Sequence, residues 1–420
     1  HPHAGIRDFC LSRGLGDVYK RQGLIRVTPL DLNKRLSNNF NASIFLKRED
    51  LQQIRSFKIR GAYNKISSLS HQDIGKGIIC ASAGNHAQGF AYSCKRLQIK
   101  GEIYMPATTP KQKISQVEMF GGGYVKIILI GDNYDTCQEI AIEASNRLKK
   151  TFIHPFDDPK VIEGQATIAT EMLSQTKKGF DYIIVPIGGG GLISGLITVM
   201  KLESPNTKII GVEPEGAPSM KSSIDQGELV TLKEIDKFVD GAAVKKVGDL
   251  TFKICKSNLE KIILVPEGKI CQAILDLYNK DGIVAEPAGA LAIAALDYLK
   301  EEILNKTVGV ILCGGNNDII RMPEIKERAL LYAELKHYFL INFPQRSGAL
   351  KQFVAEILGP NDDITHFRFT KKNFRDNAPA VVGIELKYPN DLKLLTNKMK
   401  KHKFKFDYLN ENEELFQFLI

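Results

Sequence analysis

Residues 182–200 read YIIVPIGGGGLISGLITVM. The apolar run at 182–185 predicts a buried strand, and the apolar run from Leu192 onward predicts a helix. They are joined by four consecutive glycines, Gly188, Gly189, Gly190 and Gly191. Glycine lets backbone N–H groups converge without side-chain clash, and a helix N-terminus favours an anion. Close helix–strand packing alone would require one or two glycines rather than four, so the stretch predicts a phosphate-binding loop. It lacks the G-K-[ST] ending of a nucleotide-binding P-loop.

The segments around this loop repeat the same alternation of a predicted strand and a predicted helix. Further apolar runs predict strands at 77–81, 102–105, 124–130, 208–212 and 308–312. Amphipathic segments predict helices at 85–97, 111–120 and 134–149. Near-continuous apolar strands between helices predict an α/β fold with mainly parallel sheets covered on both faces. In such sheets ligands bind at the loops that leave the carboxyl ends of the strands.

The pattern changes near the C-terminus. Residues 337–343, 364–370, 379–386 and 404–408 read as strands, and 347–357 and 390–400 as helices. That βαββαβ order predicts a small ferredoxin-like α+β domain over 335–420, after a larger domain over 23–330. Residues 1–22 show no helical or strand period and lack the apolar stretch of a signal peptide. They resemble the conceptual translation of a sequencing adapter, so we expect them to be non-native.

Composition excludes several classes of protein. The chain has 420 residues with 43% hydrophobic and 25% charged side chains, which is typical of a globular protein and not of a disordered one. Its net charge is +9, but the longest basic run, 398–405, reads as a solvated helix end, so we expect no nucleic-acid partner. Seven cysteines without a C-x-x-C pair predict core thiols in a reducing, cytoplasmic setting. Since no stretch of about 18 apolar residues exists, we expect no membrane partner.

Three more segments carry unusual polar residues. SAGNHAQG at 82–89 and CGGNN at 313–317 each follow a predicted strand, and SFKIRGA at 56–62 contains Lys58. The first suits a bound carboxylate, although Ser82 could equally be a plain helix N-cap. A lysine in such a segment is usually a surface residue. Beside a phosphate loop without nucleotide or metal motifs, however, it points to pyridoxal phosphate, which binds enzymes as a Schiff base to lysine.

Four motifs together resemble one family. LKREDLQ at 46–52, the segments at 56–62 and 82–89, and GGGGL at 188–192 resemble the threonine/serine dehydratases, which are fold-type II pyridoxal-phosphate enzymes of the tryptophan synthase β-like type. The tail is similar to the single ACT-like regulatory domain of the short form of biosynthetic threonine dehydratase. FPQRSGAL at 343–350 and LGPNDDIT at 358–365 carry that match. The resemblance implies two parallel-sheet lobes followed by the ACT-like domain.

The resemblance also assigns site residues. It implies that Lys58 is the Schiff-base lysine and the base at the substrate Cα, that Asn85 binds the cofactor ring oxygen, and that Cys313 contacts the ring nitrogen. The other implied cofactor contacts are Phe57, Gly188, Gly189, Gly190, Gly191 and Leu192. The implied substrate contacts are Ser82, Gly84, Asn85 and His86. Glu213 matches a cation-binding glutamate of some relatives, but the third ligand position falls near Ser219 instead of a carboxylate, so we expect no metal.

The implied activity is that of a threonine ammonia-lyase. L-Threonine would lose water and ammonia to give 2-oxobutanoate, the first step of isoleucine biosynthesis, in a homotetramer inhibited by isoleucine and relieved by valine. L-Serine remains open as a second substrate. A serine dehydratase, a racemase or a degradative threonine enzyme of the same fold are the nearest alternatives. A non-catalytic metabolite sensor is the alternative from another class, and the intact Lys58 and glycine loops disfavour it.

Overall fold

The computed structural model describes residues 25–344, 346–369, 377–412 and 416. The segment 1–22, expected to be non-native, lies outside the described residues. The chain divides into two compact units, the first ending at Ile319 and the second beginning at Ile320. The sequence placed the change of pattern at 330–336, whereas the structure puts the whole helix Met322–Tyr332 in the second unit.

The first unit alternates strands and helices, as its sequence predicts. Its first half contains β1 (Leu30–Leu32), α1 (Lys34–Phe40), β2 (Ser43–Arg48), α2 (Lys58–Ser67), α3 (His71–Lys76), β3 (Ile78–Ala81), α4 (Asn85–Leu97), β4 (Gly101–Met105), α5 (Lys111–Gly121), β5 (Val125–Leu129), α6 (Tyr134–Leu148) and β6 (Thr151–Phe152). Its second half contains α7 (Pro159–Gln175), β7 (Tyr182–Pro186), α8 (Gly191–Glu203), β8 (Lys208–Pro214), α9 (Ser219–Gln226), α10 (Asp249–Lys256), β9 (Lys261–Val265), α11 (Glu267–Asp281), α12 (Pro287–Ala294) and β10 (Thr307–Leu312).

These strands form two sheets, which confirms the predicted α/β class. The smaller sheet has the order β5-β4-β3-β6 and is parallel throughout. The larger has the order β1-β2-β10-β7-β8-β9, in which only β1 pairs antiparallel to its neighbour. Every residue of β3 and β7 is buried, as expected for strands covered by helices on both faces.

Helix starts follow local sequence. The side chains of Asn33, Asn133 and Asp158 each accept hydrogen bonds from backbone N–H groups in the first turn of α1, α6 and α7, which satisfies donors that have no partner within the helix. Pro159 then opens α7, where its missing N–H costs nothing. These caps fix where each strand-to-helix loop ends.

A buried ionic cluster joins β2, α2 and α7. The Arg60 guanidinium contacts the Glu49 carboxylate at 2.8 Å and the Glu171 carboxylate at 2.7 Å. Lys47 Nζ lies 2.6 Å from Glu171 Oε2. All four side chains are excluded from solvent. Lys47 and Glu49, from the motif 46–52, therefore help to hold α2, the helix that begins at Lys58, against its neighbours.

The second unit is antiparallel. It contains α13 (Met322–Tyr332), β11 (Lys336–Pro344), α14 (Ala349–Gln352), β12 (Asp363–Phe369), β13 (Asn377–Glu385), α15 (Asp391–Lys401) and β14 (Lys405–Tyr408). The sheet order is β12-β13-β11-β14, so the predicted ferredoxin-like arrangement is confirmed. The segment expected to be one helix at 347–357 is the short α14 followed by a π-helical turn, Phe353–Ile357. The core of the second unit is aromatic and aliphatic, centred on Phe339, Phe343 and Phe353.

Across the part of the chain that the structure describes, no helix is both long and apolar enough to cross a membrane.

Candidate active site

The three loops singled out in the sequence leave the carboxyl ends of parallel strands. Residues 82–84 follow β3, the glycine loop follows β7, and Cys313 follows β10. Lys58 is brought to them because Ser56 pairs with Gly314 in an isolated bridge, and the Phe57 N–H donates to the Cys313 carbonyl at 3.2 Å. The lysine thus starts α2 next to the loop that follows β10.

Lys58 has a desolvated amine. Its Nζ donates to the Pro155 carbonyl at 2.9 Å and lies 5.4 Å from the centre of the Phe57 ring. Burial lowers the pKa of Lys58 to about 8, against the opposing effects of Cys313 and Glu286. A lysine with a pKa so close to neutrality has a substantial unprotonated fraction, as a nucleophile or general base requires.

The segment 154–157, between β6 and α7, ties the lysine to the glycine loop. Pro155 supplies the carbonyl that binds Lys58, and the Phe156 ring packs on the loop. The Asp157 carboxylate accepts the first N–H groups of α10 at 3.0–3.2 Å. Thr251 on α10 returns a hydrogen bond from its Oγ1 to the Gly189 carbonyl at 2.8 Å. Pro155, Phe156 and Asp157 therefore set the positions of the amine, the loop and a helix.

Packing rules out a side chain at Gly189, Gly190 and Gly191 and crowds one at Gly188. A Cβ at Gly189 would lie 2.2 Å from the Phe156 ring, and one at Gly191 would lie 2.9 Å from the Phe156 carbonyl oxygen. Gly190 has a φ of +91° and a Cβ there would meet Thr251, while one at Gly188 would lie 3.0 Å from Ala242. The expectation that packing needs only one or two glycines is wrong. The loop nevertheless presents bare backbone at the N-terminus of α8, next to the buried Leu192.

Asn85 belongs to a polar network. Its Nδ2 donates to Glu286 Oε1 at 2.6 Å, and its Oδ1 accepts from Asn316 Nδ2 at 2.7 Å. Asn316 Nδ2 also lies within hydrogen-bond distance of Gln88 Oε1 and the Ile54 carbonyl. The buried Glu286 has its pKa raised to about 7 by desolvation and then by Asp240. The network joins the starts of α4 and α12 to the loop after β10.

The other residues of the 82–89 segment are held by local bonds. His86 Nε2 lies 3.0 Å from the Ile153 carbonyl, and burial followed by Lys58 lowers the pKa of His86 to about 3, so the ring is neutral and donates there. Ser82 Oγ accepts from the Gly84 N–H at 3.2 Å. Gly84, not Ser82, is the N-cap residue of α4, so the interpretation of Ser82 as the cap is wrong.

Cys313 is a neutral thiol. Its Sγ donates to the Ala288 carbonyl at 3.3 Å, and burial raises the pKa of Cys313 well above the usual value. The side chain therefore donates a weak hydrogen bond and carries no charge.

Glu213 is occupied by backbone donors. Its carboxylate accepts the N–H groups of Met220 and Lys221 at 2.7 and 2.8 Å, in the first turn of α9. The Ser219 hydroxyl donates to the Val244 carbonyl. Among the described residues no group of three histidine, cysteine or carboxylate side chains is close enough to hold a metal ion.

Comparison with known proteins identifies the family. Residues 21–314 match the family described as pyridoxal-phosphate dependent enzyme. Residues 327–419 match the C-terminal regulatory domain of threonine dehydratase. The chain is 55% identical over 393 residues to the L-threonine dehydratase biosynthetic IlvA of Halalkalibacterium halodurans, covering 94% of this chain and 95% of that protein. The chain belongs to the threonine dehydratase family.

Further relatives agree in both sequence and structure. The corresponding IlvA protein of Staphylococcus aureus strain N315 is 51% identical, covering 99% of this chain and 100% of that protein. The structure of processed threonine deaminase isoform 2 from Solanum lycopersicum matches with a TM-score of 0.73 and 41% identity, over 78% of this chain and 89% of that one. A serine racemase from Dictyostelium discoideum matches with a TM-score of 0.67 and 32% identity, over 73% of this chain and 98% of that one. The fold-type II architecture is thus shown.

The residues present fit the cofactor of the family. A desolvated amine, a side-chain-free loop at a helix N-terminus and a neutral thiol are the groups that an aldehyde, a phosphate and an unprotonated ring nitrogen require. Sequence reasoning missed several residues of this arrangement, namely Pro155, Phe156, Asp157 and Glu286. The run HPFD at 154–157 and the Glu-Pro helix start at 286–287 were the available signals.

Proposed function

We propose that this protein is the pyridoxal-phosphate-dependent threonine ammonia-lyase of isoleucine biosynthesis, converting L-threonine to 2-oxobutanoate and ammonia. The observation that carries the proposal is the Lys58 amine, desolvated and bonded to Pro155 one residue before the phenyl ring that packs on the glycine loop. Nearly full-length similarity to biosynthetic threonine dehydratases supports the choice of substrate.

The chain holds the cofactor through three groups of residues. Lys58 would form the covalent link with Phe57 beside it, and the backbone of the glycine loop and Leu192 would bind the phosphate. Asn85 would bind the ring oxygen, and Cys313 would face the ring nitrogen as a neutral thiol. When bound, pyridoxal phosphate supplies an electron sink for the charge left on the substrate Cα.

The protein supplies the proton transfer and the orientation. Lys58 Nζ takes the proton from the threonine Cα, and its lowered pKa keeps the amine unprotonated often enough to do so. The backbone of 82–86, ordered by Ser82 and His86, binds the substrate carboxylate at the N-terminus of α4. Loss of the Cα proton and the Cβ hydroxyl releases water, and hydrolysis of the resulting enamine gives 2-oxobutanoate and ammonia.

Replacing Lys58 tests this assignment. Lys58→Ala removes both the covalent link and the base, so we expect the visible absorbance of lysine-bound cofactor to disappear and 2-oxobutanoate formation to fall by about 1,000-fold or more. The control is Lys76→Ala, because Lys76 is a partly exposed lysine on α3 that pairs with Asp73. A wild-type protein that shows the absorbance band but forms no keto acid from L-threonine would contradict the proposed reaction.

The alternatives differ in substrate and product. A serine dehydratase would turn over L-serine in preference to L-threonine, and a racemase would give the D-amino acid without releasing ammonia. The match of 327–419 to a threonine dehydratase regulatory domain supports the biosynthetic enzyme over both. We propose isoleucine as the inhibitor and valine as its antagonist, acting through the second unit of a homotetramer. The buried free thiols of the described residues support a reducing, cytoplasmic location.

A further inference from the structure

Glu286 makes contacts that its position in the helix does not require. It is the residue before α12, the position at which Ser, Thr, Asp or Asn side chains accept an N–H from the first turn. Here the side chain makes no such bond. Its Oε1 instead accepts from Asn85 Nδ2, a residue 201 positions away, at 2.6 Å. A buried carboxyl turned from its own helix to a distant amide points to a role outside α12.

The surroundings of Glu286 are shaped around the carboxyl group. A Cβ at Gly314 would lie 2.0 Å from Glu286 Oε1, so a side chain there would displace the carboxyl group from its place beside Cys313. The Glu286 N–H also donates to the Gly314 carbonyl at 3.2 Å. Glu286 therefore lies between Asn85 and the turn that carries Cys313, the two residues proposed above to contact the cofactor ring.

The network leaves Asn85 one orientation. Its Oδ1 is taken by Asn316 Nδ2 and one Nδ2 hydrogen by Glu286. Asn85 Nδ2 then has a single remaining hydrogen to donate to a further group, and the position of Nδ2 is fixed. A flipped amide would place Nδ2 against the Asn316 donor and Oδ1 against the Glu286 oxygen, and would lose both bonds when Glu286 is ionised.

We propose that Glu286 is a positioning residue that fixes the Asn85 amide as a hydrogen-bond donor to the ring of pyridoxal phosphate. This inference rests on the proposed function for the identity of the cofactor. Glu286 does not itself touch the reacting atoms in this arrangement. It acts through Asn85, and its effect is therefore lost when Asn85 is removed.

The charge of Glu286 makes the arrangement sensitive to pH. Desolvation and Asp240 raise the pKa of Glu286 to about 7, whereas the Asn85 bond, Lys113 and Lys58 oppose them. The Cys313 thiol, also close by, is neutral. Ionised Glu286 is the stronger acceptor, so it holds Asn85 more firmly as the pH rises through about 7.

The test is a double-mutant cycle on the full-length protein, with Glu286→Gln, Asn85→Ala and the double variant. The dissociation constant for pyridoxal phosphate is measured by equilibrium dialysis of the apoprotein, without turnover. We expect Glu286→Gln to weaken binding about tenfold, the loss of one charge-assisted hydrogen bond. The double variant should bind within about twofold of Asn85→Ala alone. Glu267→Gln is the control, because Glu267 also has a raised pKa but lies at the start of α11, where it accepts the Gly216 N–H.

Two further readouts decide the role. Wild-type binding should tighten with an inflection near pH 7, and Glu286→Gln should lack that inflection while keeping the one near pH 8 that Lys58 contributes. If Glu286→Gln lowers the unfolding midpoint of the apoprotein, Glu286→Asp is used, and it should keep the inflection with weaker binding. The proposal would be overturned if the losses of cofactor affinity in the two single variants multiply in the double variant. It would also be overturned if Glu286→Gln keeps the inflection near pH 7. Because dialysis needs no threonine, a wild-type protein that binds the cofactor but forms no 2-oxobutanoate would contradict only the proposed reaction. The positioning role of Glu286 would still be tested by the binding data.

Discussion

At Gly189 the space that a side chain would need is already taken by the Phe156 ring. Gly189→Ala must move that ring or the loop, and overpacking of this kind costs about 1–3 kcal/mol of unfolding free energy. We expect the variant to unfold at a lower temperature and to bind pyridoxal phosphate more weakly. Thermal unfolding and cofactor titration measure the two effects.

Gly75→Ala is the matched control. Gly75 lies in α3 with no atom within 4 Å of a built Cβ, so alanine there should leave the unfolding temperature equal or higher, since it favours the helix. Phe156→Ala combined with Gly189→Ala should lose less stability than the sum of the losses in the two single variants. Additive losses in that double variant would show that the clash is not with Phe156.

Single residues were predictable where the chemistry lies in a local motif. Lys58, Asn85 and the glycine loop could be singled out because unusual residue types follow predicted strands. Glu286 could not, since its importance comes from Asn85, far away in sequence, and from the close approach of Gly314. Such a pairing exists only after the sheets have brought the loops together.

At the scale of elements, α2 is held in place by the ionic cluster behind it. Arg60→Met keeps the volume but leaves the buried Glu49 carboxylate without its ion-pair partner and Glu171 with Lys47 alone. We expect a loss of about 3–5 kcal/mol in the free energy of unfolding, the usual cost of breaking a buried pair. Urea unfolding measures it. Lys221→Met, which removes an exposed pair with Asp225, should leave the urea midpoint unchanged.

The cluster also predicts the direction of the acid response. Burial acts to raise the pKa of Glu49, but the charge and hydrogen bond of Arg60, with Lys47 and Thr28, together outweigh it, and the pKa lies below the usual value. The wild-type protein therefore has this stabilisation above the pKa of the unfolded carboxyl and loses it as the pH falls through the lower folded pKa. An Arg60→Met protein with the same acid dependence as wild type would contradict this account.

Elements with a strong apolar period were predictable, and weakly patterned ones were not. The helix over 85–97 has the predicted bounds, because its apolar spacing and the loop that precedes it indicate the same helix start. β1 was missed because it has three residues, none of them buried, and is defined only by pairing with β2. The π-helical turn after α14 has no sequence signal that we recognise.

For the molecule as a whole, the two units have separate cores. Phe339 is fully buried in the second unit, with ring centres 5.6 Å from Phe406 and 5.3 Å from Tyr408. Phe339→Ala should destabilise that unit by about 3–5 kcal/mol. We expect inhibition by isoleucine to be lost while cofactor absorbance and threonine turnover remain, both measured on the full-length protein.

Leu394→Ala is the control for this variant, because Leu394 lies on α15 with 62% of its surface exposed. It should keep normal inhibition. Loss of the cofactor absorbance in Phe339→Ala would mean that the first unit depends on the second for its own folding.

The distribution of cysteine exposes the two units to different oxidation chemistry. The six described cysteines are buried thiols that all lie in the first unit, whereas residues 320–420 contain no cysteine. An oxidant reaches these thiols only when the first unit opens, and burial also suppresses the reactive thiolate of Cys80, Cys255 and Cys313. Oxidation of these cysteines is therefore limited by how often the first unit unfolds. Oxidative damage to the second unit proceeds by reactions that do not involve cysteine.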